Sequence, residues 1–137
     1  MGNRRPVPEP LYGRPLAAMS LVDDQAVLTA LANDVGFELV FSRQIIAHAQ
    51  PGHMVIGFTT SGDSVNLLEA FAEATRRKIL TVGLSGYEGG AMAEGGRVEH
   101  CLVVRSDSVH WIQEAQDALV LQLWATVQRC LDERSPR

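Results

Sequence analysis

Met54-Val55-Ile56-Gly57-Phe58-Thr59-Thr60-Ser61-Gly62-Asp63-Ser64-Val65-Asn66 reads as an apolar run, a hydroxyl-rich loop and a helix start, in that order. Met54 to Phe58 is short, apolar and partly β-branched, the pattern of a fully buried strand. Thr59 to Ser64 closes it. Val65, Leu67, Leu68, Phe71 and Ala74 then recur at helical spacing. They mark an amphipathic helix that ends at Arg76-Arg77-Lys78, where cations suit the helix dipole.

The same alternation extends in both directions. Ile79 to Leu84 and Val98 to Val104 are further short apolar runs and are expected as strands. Pro15 to Val22 is apolar and too short for a stable helix, so it is expected as a buried strand as well. Helices are expected from Gln25 to Asn33, with Asp24 as N-cap, and over a segment carrying Leu39, Val40, Ile45 and Ile46 that stops before Pro51-Gly52. Ser85 to Gly90 is a loop, Ala91-Met92-Ala93 one helical turn, and Ser108 to Leu131 one long helix capped by Asp107 or Ser108. Four strands alternating with helices imply an α/β fold with a parallel sheet and right-handed crossovers. Residues 1–13, with Pro6, Pro8 and Pro10, are expected as an extended arm, and residues 132–137 as a polar tail.

With 137 residues the chain holds one domain. A formal net charge of −4 gives no electrostatic basis for nucleic-acid binding. No apolar run approaches the roughly 20 residues that span a bilayer, so no membrane partner is expected. Cys101 and Cys130 form neither a disulfide framework nor a CxxC zinc motif. They read as thiols of a reducing cytoplasm.

The loop after the first quoted strand is the candidate site. Ligands of open parallel sheets bind at the carboxyl ends of the strands. Thr59, Thr60, Ser61 and Ser64 offer four hydroxyls, Gly62 permits close approach, and N–H groups at a helix start favour a phosphate. The alternative is that these residues only cap the helix. No P-loop lysine and no GxGxxG occur, which disfavours nucleoside triphosphates and dinucleotides. His48 and His53 are too far apart for a helical metal pair. Glu114 suits a helix start as much as a base. His100 reads as a strand-edge residue, and Trp111 and Trp124 as packing or subunit contacts.

The loop TTSGDSVN resembles the phosphate loop S-T-S-G-N-S-x-N of sugar isomerase (SIS) domains. Asn33 to Glu38, Phe41 to Gln44, Gln50-Pro51-Gly52, Gly89 to Ala93 and Ile112-Gln113-Glu114 are similar to the phosphoheptose isomerase branch, over about residues 14–128. The resemblance implies a three-layer, doubly wound, flavodoxin-like SIS domain over residues 14–131. It implies an isomerase interconverting sedoheptulose 7-phosphate and the aldose, assembled as a homo-oligomer. It implies phosphate binding by Thr59, Ser61 and Ser64, sugar contact by Thr60 and Asp24 (the catalytic candidates), and a zinc ligand at Gln113. The family's histidine two turns after that glutamine is Leu121 here, and an acid three residues before it is His110. The family's amino-terminal segment, with its first strand, is not matched. That strand would lie between the segments at 15–22 and 54–58. Noncatalytic SIS modules that bind a phosphosugar or a partner protein share the fold, and with a truncated remnant of the isomerase they are the alternative readings.

Overall fold

In this computed structural model, residues 13–134 are described. They form α1 (Gln25–Asp34), a short 3-10 helix (Phe37–Leu39), α2 (Val40–His48), β1 (Met54–Phe58), α3 (Val65–Arg76), β2 (Leu80–Gly86), α4 (Gly90–Ala93), β3 (His100–Val104) and α5 (Val109–Glu133). Three parallel strands pair in the order β1-β2-β3. The expected α/β fold with a parallel sheet is therefore observed.

The sheet is covered on both faces, which makes three layers. Gly57 and Gly83 are paired across β1 and β2 and leave a trough on one face. A Cβ at Gly57 would stand 2.7 Å from the Phe71 ring of α3, and one at Gly83 would stand 2.5 Å from the Met92 sulfur of α4. Phe71, Met92 and Val98 fill that trough as the buried core, joined by Val55, Leu67, Leu68 and Cys101. On the other face α5 lies against β2 and β3, and Ile112 is packed so closely on Gly86 that no side chain fits there. Val82 and Leu84 are buried on this second face. Outside α3 lies α2, with Val40, Ile45, Ala70 and Ala74 all buried. Small alanines on α3 let the two helices approach closely.

Four expectations need correction. Pro15 to Val22 is not a strand, so the sheet has three strands rather than four among the described residues. An apolar extended segment becomes a strand only when a neighbouring backbone offers hydrogen bonds. Here side chains take that part: Gln128 of α5 accepts from the Arg14 N–H at 2.7 Å and donates to its carbonyl at 3.1 Å. Gln44 of α2 donates to the Leu21 carbonyl at 3.0 Å. The segment between is exposed. Secondly, β1 is an edge strand, so Met54 and Phe58 are exposed rather than buried. Thirdly, Val98 packs in the core ahead of β3, which starts at His100. Fourthly, two elements run longer than expected: β2 reaches Gly86, so Ser85 and Gly86 are strand rather than loop, and α5 reaches Glu133 rather than ending at Leu131. Of the expected amino-terminal arm, residues 1–12 lie outside the described residues.

Candidate functional site

The ends of β1 and β2 carry the site. The ladder between them continues past the strands: the Thr59 N–H donates to Leu84 O at 3.0 Å, and the Gly86 N–H donates to Thr60 O at 2.9 Å. These bonds fix the first two loop residues. Gln116 of α5 fixes them from behind, donating from its buried carboxamide to the Thr59 carbonyl at 2.8 Å. The loop thus leaves the sheet from a defined point.

Three of the expected phosphate residues come together. The Thr59 hydroxyl lies 3.1 Å from the Ser64 hydroxyl and 3.5 Å from that of Ser61. Thr59 Oγ1 also accepts from the Gly62 N–H at 3.3 Å, and Ser61 Oγ accepts from the Asp63 N–H at 3.1 Å. Ser64 is the N-cap of α3, yet its side chain makes no capping bond to the helix. Its hydroxyl turns to Thr59 instead. The capping alternative therefore fails for Ser64. Among the described residues the N–H groups of Ser61, Ser64, Val65 and Asn66 take no protein acceptor. A helix start presenting free N–H groups beside three clustered hydroxyls is an anion cradle.

A second loop braces the first. The Met92 N–H donates to Gly62 O at 2.9 Å, and the Ala91 N–H donates to the Asp63 carboxylate at 2.7 Å. Gly62 has φ +78, and a Cβ there would overlap the Gly89 carbonyl oxygen. Only glycine meets both demands. Gln116 and Asp63 escaped the sequence reading. Gln116 had one signal: it falls four residues after Ile112, on the inward stripe of α5, where a glutamine must find a partner.

Thr60 lies in the loop with its carbonyl committed to Gly86. Asp24 caps α1, accepting from the Val27 N–H at 3.0 Å, and is exposed. The expected N-cap role holds, and no bond joins Asp24 to the loop. Ser108 likewise caps α5, accepting from the Trp111 N–H at 3.5 Å. Gln113 is exposed on α5, and Leu121 presents hydrocarbon two turns on. Among the described residues no group of three or more His, Cys, Asp or Glu could hold a metal ion. One carboxamide beside a leucine does not match the nitrogen, sulfur and carboxylate donors that zinc takes. The donor set of the described residues does not fit the zinc implied by the resemblance.

Similar sequences and a similar backbone occur in known proteins. Phosphoheptose isomerase from Campylobacter concisus is 45% identical over 102 residues, which are 74% of this chain and 53% of that one. Phosphoheptose isomerase from Roseiflexus sp. is 39% identical over 118 residues, 86% of this chain and 59% of that one. The structure of phosphoheptose isomerase GmhA from Neisseria gonorrhoeae superposes with a TM-score of 0.74 at 33% identity, covering 87% of this chain and 65% of that one. Over the matched span the chain is a relative of the phosphoheptose isomerases. The isomerase from Francisella tularensis superposes with a TM-score of 0.73, also at 33% identity, over 82% of this chain and 59% of that one. No family model matches the chain. The chain spans about half the length of the curated relatives it matches. No described helix is long and apolar enough to cross a membrane.

Proposed function

We propose that the chain is an isomerase-type phosphosugar-binding domain whose loop 59–64 holds the phosphate of sedoheptulose 7-phosphate or a similar sugar. The observation that carries the reading is the convergence of the Thr59, Ser61 and Ser64 hydroxyls at a helix start with free N–H groups. The likeness to phosphoheptose isomerases supports the seven-carbon sugar.

Ketose and aldose interconvert when a base removes a proton from the carbon next to the carbonyl and the proton returns to the neighbouring carbon through an enediol. Binding the phosphate at one end aligns that chain and contributes proximity. Thr60 would donate to a sugar oxygen. Asp24 would accept from a sugar hydroxyl with the carboxylate oxygen that does not cap α1. No step is assigned to zinc, since the donors do not fit one.

Leu121 favours a second reading, in which the phosphosugar binds without turnover. A leucine at the position of the family's histidine supplies no proton carrier. Turnover separates the two. With sedoheptulose 7-phosphate, a new aldose phosphate signal in the phosphorus-31 NMR spectrum supports the isomerase. A saturable shift of the ketose signal without that product supports the binding domain. No change counts against both.

A further inference from the structure

Among the described residues two non-glycines have left-handed backbone, Lys78 at φ +58 and Tyr87 at φ +49. Lys78 has a structural reason. It ends α3, where its N–H donates to Thr75 O at 2.9 Å and the Ile79 N–H donates to Ala74 O at 3.0 Å. A left-handed residue in that place closes a helix. Tyr87 has no helix to close. It is the second residue of a tight turn, sealed by the Gly89 N–H donating to Gly86 O at 2.8 Å. Glycine suits such a position, and a bulky residue there is an outlier that its surroundings must impose.

The surroundings are rigid. The Gly86 N–H is bonded to Thr60 O in the phosphate loop. Gly89 lies against Gly62 of the same loop. Glu88 accepts from Arg105 of the segment after β3 at 3.0 Å. Tyr87 is thus presented one residue from the backbone of Thr60. Its side chain is exposed, and its hydroxyl makes no hydrogen bond among the described residues. Tyr87 lies outside the buried core cluster, and no internal hydrogen bond holds its phenol among the described residues.

We propose that Tyr87 determines specificity for the polyol part of the ligand. With the phosphate on loop 59–64, the ring lies against the carbon chain beyond it and the phenol meets a hydroxyl. This inference rests on the phosphate reading of that loop and adds a residue to it.

The test uses the full chain and two ligands, inorganic phosphate and sedoheptulose 7-phosphate, with affinities read by calorimetry. The variants are Tyr87→Gly, Tyr87→Asn and Tyr87→Phe. Glycine and asparagine accept the left-handed backbone without the ring, so both are expected to keep or raise the thermal midpoint. Both are expected to bind the sugar phosphate about tenfold more weakly and inorganic phosphate unchanged. Tyr87→Phe is expected to fall between them and the parent. Equal sugar phosphate affinity in the parent and the two ringless variants overturns the role of Tyr87 while the phosphate loop stands. So does a parent that binds phosphate and sugar phosphate equally. A parent that binds neither overturns the phosphate loop itself, and Tyr87 with it.

Discussion

The carboxamide of Gln116 donates to the carbonyl of Thr59 across 2.8 Å, and both residues are buried. One bond therefore joins the inward stripe of α5 to the first residue of loop 59–64. The sheet face covered by α5 and the hydroxyl cluster of that loop depend on the same contact. Replacing Gln116 by leucine keeps the apolar packing and leaves the Thr59 carbonyl without its partner. Such an orphan costs about 1–3 kcal/mol. Urea unfolding of Gln116→Leu is expected to show that loss, together with weaker phosphosugar binding. Unchanged stability would mean the bond carries no weight.

Gly62 carries a second demand. Its φ of +78 and its contact with the Gly89 carbonyl leave no room for a methyl group. Gly62→Ala must shift the loop 89–93 or its own backbone. A loss of roughly 1–3 kcal/mol is expected in thermal unfolding, a size typical of strain at special backbone positions. Gly95 is the control, since no atom lies within 4 Å of a Cβ placed there. Its φ of +59 leaves only the backbone term in Gly95→Ala.

Thr59→Val separates binding from folding. The substitution keeps the shape and removes the hydroxyl that accepts from Gly62 and pairs with Ser64. Losing these two neutral hydrogen bonds costs about 1 kcal/mol each in stability. Phosphosugar affinity is expected to fall as well, about tenfold or more, because the hydroxyl cluster is broken. Calorimetry beside a denaturation curve reads both quantities, and equal losses would place Thr59 in the scaffold alone.

Acid stability has an identifiable source. Burial raises the carboxyl pKa of Glu73, but hydrogen bonds and charge from Arg77 and Arg76 outweigh it and hold the group below its ordinary value. A lowered folded pKa stabilises the protein above the unfolded value, and that stability is lost as pH falls through the folded one. Midpoints of unfolding are therefore expected to drop on acidification below the usual carboxylate range. Glu73→Gln is expected to flatten this part of the profile. An unaltered slope in that variant would assign the acid sensitivity to other groups.

Much of this molecule is legible in its sequence where local pattern and tertiary need agree. Met54 to Phe58 is a strand because its apolar run meets β2, and Val65 to Arg76 is a helix because its apolar stripe meets the sheet and α2. Pro15 to Val22 has a strand composition but pairs with no strand among the described residues, and pairing is not written in a single segment. Ser64 has the composition of a cap, yet a nearer hydroxyl takes its side chain. Gln116 offers only its place on the inward stripe of α5, which does not announce its partner. The donor positions in α5 show the converse. The resemblance implies a ligand at Gln113, while Leu121, two turns on, presents only hydrocarbon. Likeness carries a fold further than it carries a site.

The most direct measurement is an amide proton–nitrogen NMR titration with sedoheptulose 7-phosphate. The account predicts saturable shifts centred on Ser61, Ser64, Val65 and Asn66, whose free N–H groups would bond the phosphate oxygens, with smaller shifts at Gly89 and Gly90. Shifts centred elsewhere, or none in a folded sample, would contradict it.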